Sequence, residues 1–450
     1  AVIGMGSGIT AHTLLSNPSL VAVDTIEIEP AMIEGARYFG ERSENVFSDP
    51  RSHIYIDDAK TFFTKNNKKY DLIVSEPSNP WVSGVSGLFT EEFYKHISRH
   101  ISENGMFAQW IHLYEMDDRL IGSVIAALSD NFKDFTVYQM NSADVLVLAS
   151  NQTMKDPWSD VFSVPSILRE TERLGIKNLD DLRIRKLGGK QIFSPAFLGY
   201  TSARNSDYFP ILDQNATRAR FKKTSAELLT RWRGIQFFMD DTSAIPQPTP
   251  YAINADTISS QQVLIANKMQ DFLASVNYND LFSENYYESM IVFDDEMSRF
   301  VEGVRFCRTA DNAWVRSAIW VANNVTNFVS AEKSAEVWKN VSGFSCPDES
   351  AEKMKWVSLF SAIGVRNYGS IYAMTKSLLD DPSVVDPAIR RYLVFMNIAS
   401  SVKRGDFVAS YNTFLRYHPN LNELTVNERT LYNLSVHGIN EAKHGRVYRL

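Results

Sequence analysis

Cysteine is nearly absent: Cys307 and Cys346 are the only two in 450 residues. They lie far apart, fit no zinc spacing and suit a reducing compartment, with a disulfide between them left open. No uninterrupted apolar run is long enough to cross a bilayer, and no secretory signal is recognised. Positive charge is not in excess. The formal net charge is −7, which disfavours wholesale nucleic-acid binding, so no nucleic-acid partner is expected. No serine-nucleophile elbow, Walker loop or zinc knuckle occurs, and no metal site is expected. What remains is globular in composition, 44% hydrophobic and 22% charged, and the length predicts two or three domains. The chain opens on Ala1-Val2-Ile3-Gly4, inside what reads as a buried strand and without a starting methionine. The expectation is therefore a segment of a longer protein.

Residues 1–150 alternate strand and helix. The stub Val2–Gly4 is followed by a helix over Thr10–Ser16. The next strands read as Val21–Glu27, Ser52–Ile56, Tyr70–Ser75 and Gly105–Ile111. A helix over Asp118–Asn131 follows, then an antiparallel pair, Phe135–Gln139 and Val145–Ala149. The alternation predicts an α/β fold, a doubly wound, mostly parallel, seven-stranded sheet of class I methyltransferase-like type. Residues 151–240 read as an extension packed on that domain, with a basic patch at Arg183, Arg185, Lys186 and Lys190. A linker over 241–258 carries Pro246, Pro248 and Pro250. Residues 259–450 show apolar residues at helical spacing, as in Trp314, Ala318, Val321 and Val325, and predict an all-helical domain. A degenerate tetratricopeptide-like repeat fits it, without a strict period.

The chemistry concentrates where strands end. Gly4-x-Gly6-Ser7-Gly8 follows the first strand, where glycines let a backbone approach a ligand and free the next helix N-terminus. Ile9 stands where a dinucleotide fingerprint wants glycine or alanine, so the spacing favours an adenosyl-sulfonium ligand. Glu27 closes the second strand and can accept from both ribose hydroxyls, with Glu29 able to share the role. Asp57 and Asp58 close the third. A carboxylate there can accept an adenine amino proton or cap the helix that begins near Lys60. Glu76 and Asn79 follow the fourth strand in SEPSNPW. A carboxylate can orient an attacking amine and take its proton, and an amide can hold a nitrogen or hydroxyl. Gln109, Trp110 and His112 end the fifth strand and read as lining the acceptor pocket. His112 is open to either a relay or a packing role. His96 and His100 are four apart on a helix, but no third metal ligand accompanies them, and they read as helix-surface histidines.

In order and spacing, VIGMGSG, Glu27, Asp58 and SEPSNP...GLFTEEFY resemble the spermidine synthase (polyamine aminopropyltransferase) family over residues 1 to about 150. Three departures accompany the resemblance. The family's Asp-Ser-Ser-Asp-Pro loop reads Glu76-Pro77-Ser78-Asn79-Pro80 here. Ser7 replaces the family's aspartate in the glycine turn. The family's small amino-terminal β domain is expected to lie outside this segment. The SEPSNPW form looks like a sub-branch of large bacterial proteins fused to a transporter-like membrane region. NSDYFPILDQNATRARF resembles a segment of that branch, with Asp207 aligned to one of its acids. The resemblance implies a cytoplasmic segment of a membrane-bound parent.

The leading expectation is aminopropyl transfer from decarboxylated S-adenosylmethionine to a polyamine-like amine. Glu76 and Asn79 would act at the reacting centre. Gly4, Gly6, Ser7, Gly8, Glu27, Asp57 and Asp58 would hold the co-substrate, and Gln109, Trp110 and Asp207 the acceptor. An S-adenosylmethionine-dependent methyltransferase is the alternative, since an acid at position 7 would repel that molecule's carboxylate. A nucleoside-sensing module whose helical region recruits a protein partner is the non-enzyme alternative. A homodimer is left open.

Overall fold

A computed structural model describes all residues except 83, 155–160, 233–235, 240–257, 279–294, 307–310, 345–350 and 419. Residues 241–257 of the proline-rich linker and both cysteines lie outside the described residues. The chain divides into two compact units, one carrying Ala1–Arg231 and the other Ile258–Leu450.

The first unit is built on one sheet: β1 (Val2–Ile3), β2 (Val23–Glu27), β3 (Ser52–Ile56), β4 (Tyr70–Ser75), β5 (Ile101–His112), β6 (Asp134–Gln139), β7 (Asp144–Ser150) and β8 (Lys186–Gly189). Their order is β3-β2-β1-β4-β5-β7-β6-β8. β1 to β5 run parallel, and β7, β6 and β8 add antiparallel pairs. The connecting helices are α1 (Ile9–Leu15), α2 (Pro30–Ala36), α3 (Glu44–Ser48), α4 (Ala59–Lys65), α5 (Glu91–Ile97) and α6 (Asp118–Asn131). Crossovers before β3 move one way along the sheet, and those after it move the other way. Right-handed connections therefore put the two helix sets on opposite faces.

The sequence dictates these elements locally. Pro30 opens α2 with its fixed φ, Asp58 caps α4 and Thr90 caps α5. β2 is buried at every position although it contains Asp24. That carboxylate is satisfied by Lys68 Nζ at 2.6 Å, the Tyr70 hydroxyl at 2.8 Å and His53 Nδ1 at 3.1 Å. Val2, Leu15, Val23, Val46 and Val74 form the core under β1. Phe107 and Phe132 stack at 5.5 Å beneath β5.

The sheet has eight strands, not the expected seven. β8 is Lys-Leu-Gly-Gly, too short and too rich in glycine to show strand alternation. Its position comes from its neighbours: Gln139 N donates to Arg185 O at 2.7 Å, and Thr136 pairs with Gly189. The expected basic patch dissolves here as well. Arg185 is buried and donates to Met140 O at 2.8 Å, while Lys190 Nζ donates to Ser129 O and Phe132 O, each at 2.6 Å. These two cations bond main-chain carbonyls, and Arg183 pairs with Asp180 at 3.5 Å. His100 is buried too, against Phe63, so it is not the helix-surface histidine expected.

Helices α7 (Pro165–Glu172), α8 (Leu179–Arg183), α9 (Lys190–Leu198), α10 (Ile211–Lys222) and the short α11 (Leu228–Arg231) also belong to this unit. The segment before α10 is stitched down by Asn205. Its side chain donates to Phe89 O at 3.0 Å and accepts from Leu212 N at 3.0 Å, and its backbone N donates to Ser123 O at 3.1 Å.

The second unit is helical throughout its described elements. From Ala331–Gly343 onward each helix packs on the next: Ala351–Gly364, Tyr368–Asp380, Pro387–Lys403, Phe407–Tyr417 and Val426–Lys443. Their lengths run from 11 to 18 residues, without one repeat length. Trp338 stacks on Phe360 at 5.3 Å and meets Phe300 edge-on at 5.8 Å. Gly364 permits the nearby crossing, because a Cβ there would fall 1.9 Å from Ser334 Oγ. Asn397 is buried but satisfied. It donates to Thr375 Oγ1 and accepts from Thr413 Oγ1, both at 3.0 Å. No described helix is long and apolar enough to cross a membrane.

Candidate active site

The parallel strands end in register, and the register builds a rim. Ile3 pairs with Ile26 on one side and Ser75 on the other, Glu27 pairs with Ile56, and Ser75 pairs with Gln109. Backbone bonds carry the alignment one step further. Gly4 N donates to Ile26 O (2.9 Å), Glu76 N to Ile3 O (3.1 Å) and Asp57 N to Glu27 O (3.1 Å). Gly4, Glu27, Asp57, Glu76 and Trp110 therefore stand side by side at the carboxyl edge. The chain runs outward from β1 through β2 and β3, then returns to the far side of β1 as β4. Open α/β sheets bind ligands at such a reversal.

Gly4 adopts φ +86°, and a Cβ there would meet Glu76 O at 2.9 Å, so only glycine fits between β1 and β4. Gly6 adopts φ +51° with open space where its Cβ would be, and Gly8 caps α1 in the left-handed region. Ser7 Oγ accepts from Ile9 N at 3.4 Å.

Glu27 is buried. Its Oε2 accepts from Met5 N of the glycine turn at 2.8 Å, and its Oε1 accepts from Glu29 N at 2.9 Å. Each oxygen keeps a second lone pair. Glu29 spends its own Oε1 on Ala31 N, capping α2. Asp57 accepts from Asp58 N at 2.9 Å and pairs with Lys65 at 3.1 Å. Asp58 Oδ1 accepts from Thr61 N at 2.9 Å as the α4 cap, and its Oδ2 makes no hydrogen bond among the described residues. Ile28 and Ile56, neighbours of these acids, are 69% and 60% exposed, so an apolar step flanks the carboxylates.

Glu76 is half-buried. Burial pushes its carboxyl above the usual range, and the Thr10 hydroxyl, 3.1 Å from Oε1 and 2.9 Å from Oε2, only partly offsets this. Asn79 Oδ1 accepts from the Tyr114 hydroxyl at 3.3 Å. Gln109 is wholly buried and donates to Trp110 O at 3.1 Å, so it sits under the rim rather than in a pocket. Trp110 lies against His112, with ring centroids 6.2 Å apart. Asp207 pairs with Lys60 Nζ at 2.7 Å, and its N donates to Glu92 Oε2 at 2.8 Å.

Thr10, Tyr114 and the pairing of His112 with Asp144 were not foreseen. Thr10 offered a weak signal, as a hydroxyl in the first turn after the glycines. Among the described residues, no group of three or more His, Cys, Asp and Glu side chains could hold a metal ion.

Strand order and rim together define a doubly wound α/β unit of class I methyltransferase-like type. The sequence pattern of the spermine/spermidine synthase domain matches residues 1–145. Among curated relatives, the polyamine aminopropyltransferase of Pectobacterium atrosepticum is 32% identical over 140 residues, covering 31% of this chain and 48% of the relative. That of Serratia proteamaculans is 31% identical over 140 residues with the same coverage. The chain thus spans about half the length of the curated relatives it matches. Among solved structures, a spermidine synthase in complex with the transition state analogue AdoDATO aligns with TM-score 0.30 and 24% identity, over 34% of this chain and 54% of that one. Human methyltransferase-like protein 13 in complex with SAH aligns with TM-score 0.30 and 19% identity, over 38% and 78%.

Proposed function

We propose that this chain is a transferase of the spermidine synthase type. It would move an aminopropyl group from decarboxylated S-adenosylmethionine to a polyamine-like amine. The observation that carries the reading is the rim at the sheet's reversal, with Glu27 tied to the glycine turn and Glu76 beside Gly4.

These residues fit such a co-substrate. The open space over Gly6 admits a ligand close to the backbone, and Glu27's remaining lone pairs suit two ribose hydroxyls. Ile28 and Ile56 offer apolar surface to a flat purine, with Asp58 Oδ2 left to accept its amino group. When bound, the sulfonium supplies a carbon activated for displacement, with a neutral thioether as leaving group. Glu76 attracts and orients the amine, and Thr10 limits its rotation. Asn79, steadied by Tyr114, accepts from a substrate N–H.

Titration calorimetry of the whole chain with decarboxylated S-adenosylmethionine, S-adenosylmethionine and methylthioadenosine tests this. At least one is expected to bind, and Glu27→Ala is expected to remove that binding while the chain stays folded. No binding by the wild-type chain would overturn the proposal. Methyl transfer is the second reading, favoured by the uncharged Ser7 in the glycine turn. A clear preference for S-adenosylmethionine over its decarboxylated form would select it.

A further inference from the structure

The transfer proposed above must dispose of a proton, and this inference, which rests on that reading, concerns where it goes. β5 does not stop at the rim. Its pairing with β4 ends at Gln109, while its pairing with β7 continues to His112, directly opposite Asp144. His112 thus stands about 10 Å beyond Gln109 along the strand, at ~3.3 Å per residue.

His112 Nδ1 lies 2.7 Å from Asp144 Oδ1. Asp144 is fixed in turn, since Asn141 Nδ2 donates to its Oδ2 at 2.7 Å, and Asn141 Oδ1 accepts from Ala143 N at 2.7 Å. Burial would raise the Asp144 carboxyl, but the bonds from His112 and Asn141 outweigh it and hold the group below its ordinary value. An ionised carboxylate can only accept, so Nδ1 carries the hydrogen and Nε2 keeps a lone pair. Nε2 makes no hydrogen bond among the described residues, and the side chain is 15% exposed.

Strand alternation puts Trp110 and His112 on one face, and the Tyr114 ring, just past the strand, lies 5.1 Å from that of His112. The Tyr114 hydroxyl reaches Asn79, and its ring meets Trp81 at 6.0 Å. The dyad is therefore one ring away from the loop that follows β4. Nearby among the described residues, Glu115 and Arg220 pair with each other at 3.6 Å, and Arg220 also lies 5.3 Å over the Trp81 ring. Asn79 cannot take a proton, and Glu76, with the Thr10 hydroxyl across its oxygens, is assigned above to holding the amine.

We propose that His112 is the general base for the attacking amine, with Asp144 as its positioning residue. The amine lone pair forms the new C–N bond while the C–S bond breaks, and its electrons leave on sulfur. The nitrogen's proton passes to Nε2, and the resulting imidazolium is balanced by Asp144. The imidazolium then returns the proton to water.

The test uses the whole chain. With ¹⁵N-labelled histidine, the His112 resonances, identified by their loss in His112→Gln, are expected to report the Nδ1–H tautomer without any ligand. Asp144→Asn is expected to abolish that preference. In turnover, His112→Gln is expected to lower kcat about 10²- to 10³-fold, with the amine KM nearly unchanged and the acidic limb of the kcat/KM profile lost. Its methylthioadenosine affinity and melting temperature should match wild type. An Nε2–H tautomer, or a His112→Gln kcat within threefold of wild type, would overturn the inference and leave the transfer reading intact. If the wild-type chain releases no methylthioadenosine with any polyamine, the transfer reading fails and this base falls with it.

Discussion

Glu76 carries a conflict that the rest of the rim does not. Burial raises its pKa, so the folded chain binds this proton more tightly than the unfolded chain does. By linkage, stability falls as pH rises from the ordinary glutamate value through Glu76's higher one, and above that window the penalty is complete. Glu76→Gln removes the charge and leaves Thr10 an amide to bond. It is expected to melt higher than wild type at neutral pH, with the difference closing below the ordinary carboxylate range. Turnover should be abolished, with co-substrate affinity nearly intact. Scanning calorimetry across pH and a methylthioadenosine-release assay check both halves, and unchanged turnover would remove Glu76 from the mechanism. Much of this rim was readable from the residues alone, because Glu27, Asp57, Asp58 and Glu76 each follow an apolar run that reads as a strand. Thr10 was not readable, because its meaning depends on a partner 66 positions away. His112 and Asp144 face each other only through the register of β5 with β7.

At the level of elements, Asp58 serves one demonstrable role and is proposed for another. It caps α4, and removing such a cap costs about 1 kcal/mol. Asp58→Ala is expected to lose that stability and to weaken nucleoside binding. Asp58→Asn keeps a capping oxygen, so it should melt close to wild type while still binding methylthioadenosine about tenfold more weakly, the scale of one lost hydrogen bond. Paired melting and calorimetric titrations separate the roles, and wild-type affinity in Asp58→Asn would restrict the residue to capping. β3, β4 and α6 were legible to the residue because turn signals bound their apolar patterns. β5 begins at Ile101 rather than Gly105, since Ser102-Glu103-Asn104 hides its first turn onto the sheet. β8 has no pattern of its own and is a strand only because β6 offers it an edge.

For the whole molecule, residues 1–145 share a pattern with the spermine/spermidine synthase domain, yet the first compact unit extends to Arg231. Asn205, Arg185 and Lys190 explain the difference, since each satisfies backbone groups of the earlier sheet and helices. A side chain that serves distant carbonyls looks like surface polarity or a charge cluster in one dimension. That is why residues 151–240 were legible only as a loose extension. The helical unit was legible as helical from its periodicity. Its packing was not, because contacts such as Trp338 on Phe360 need the order of helices in space.

β8 also bears on how this chain could be cut for study. A fragment ending at residue 150 would strip β6 of its outer neighbour and leave a row of bare amides and carbonyls, an invitation to pair with another copy. Such a fragment is expected to precipitate or form concentration-dependent oligomers in sedimentation runs. One ending at residue 231 should stay dispersed, and a monodisperse 1–150 piece would show that the eighth strand guards nothing.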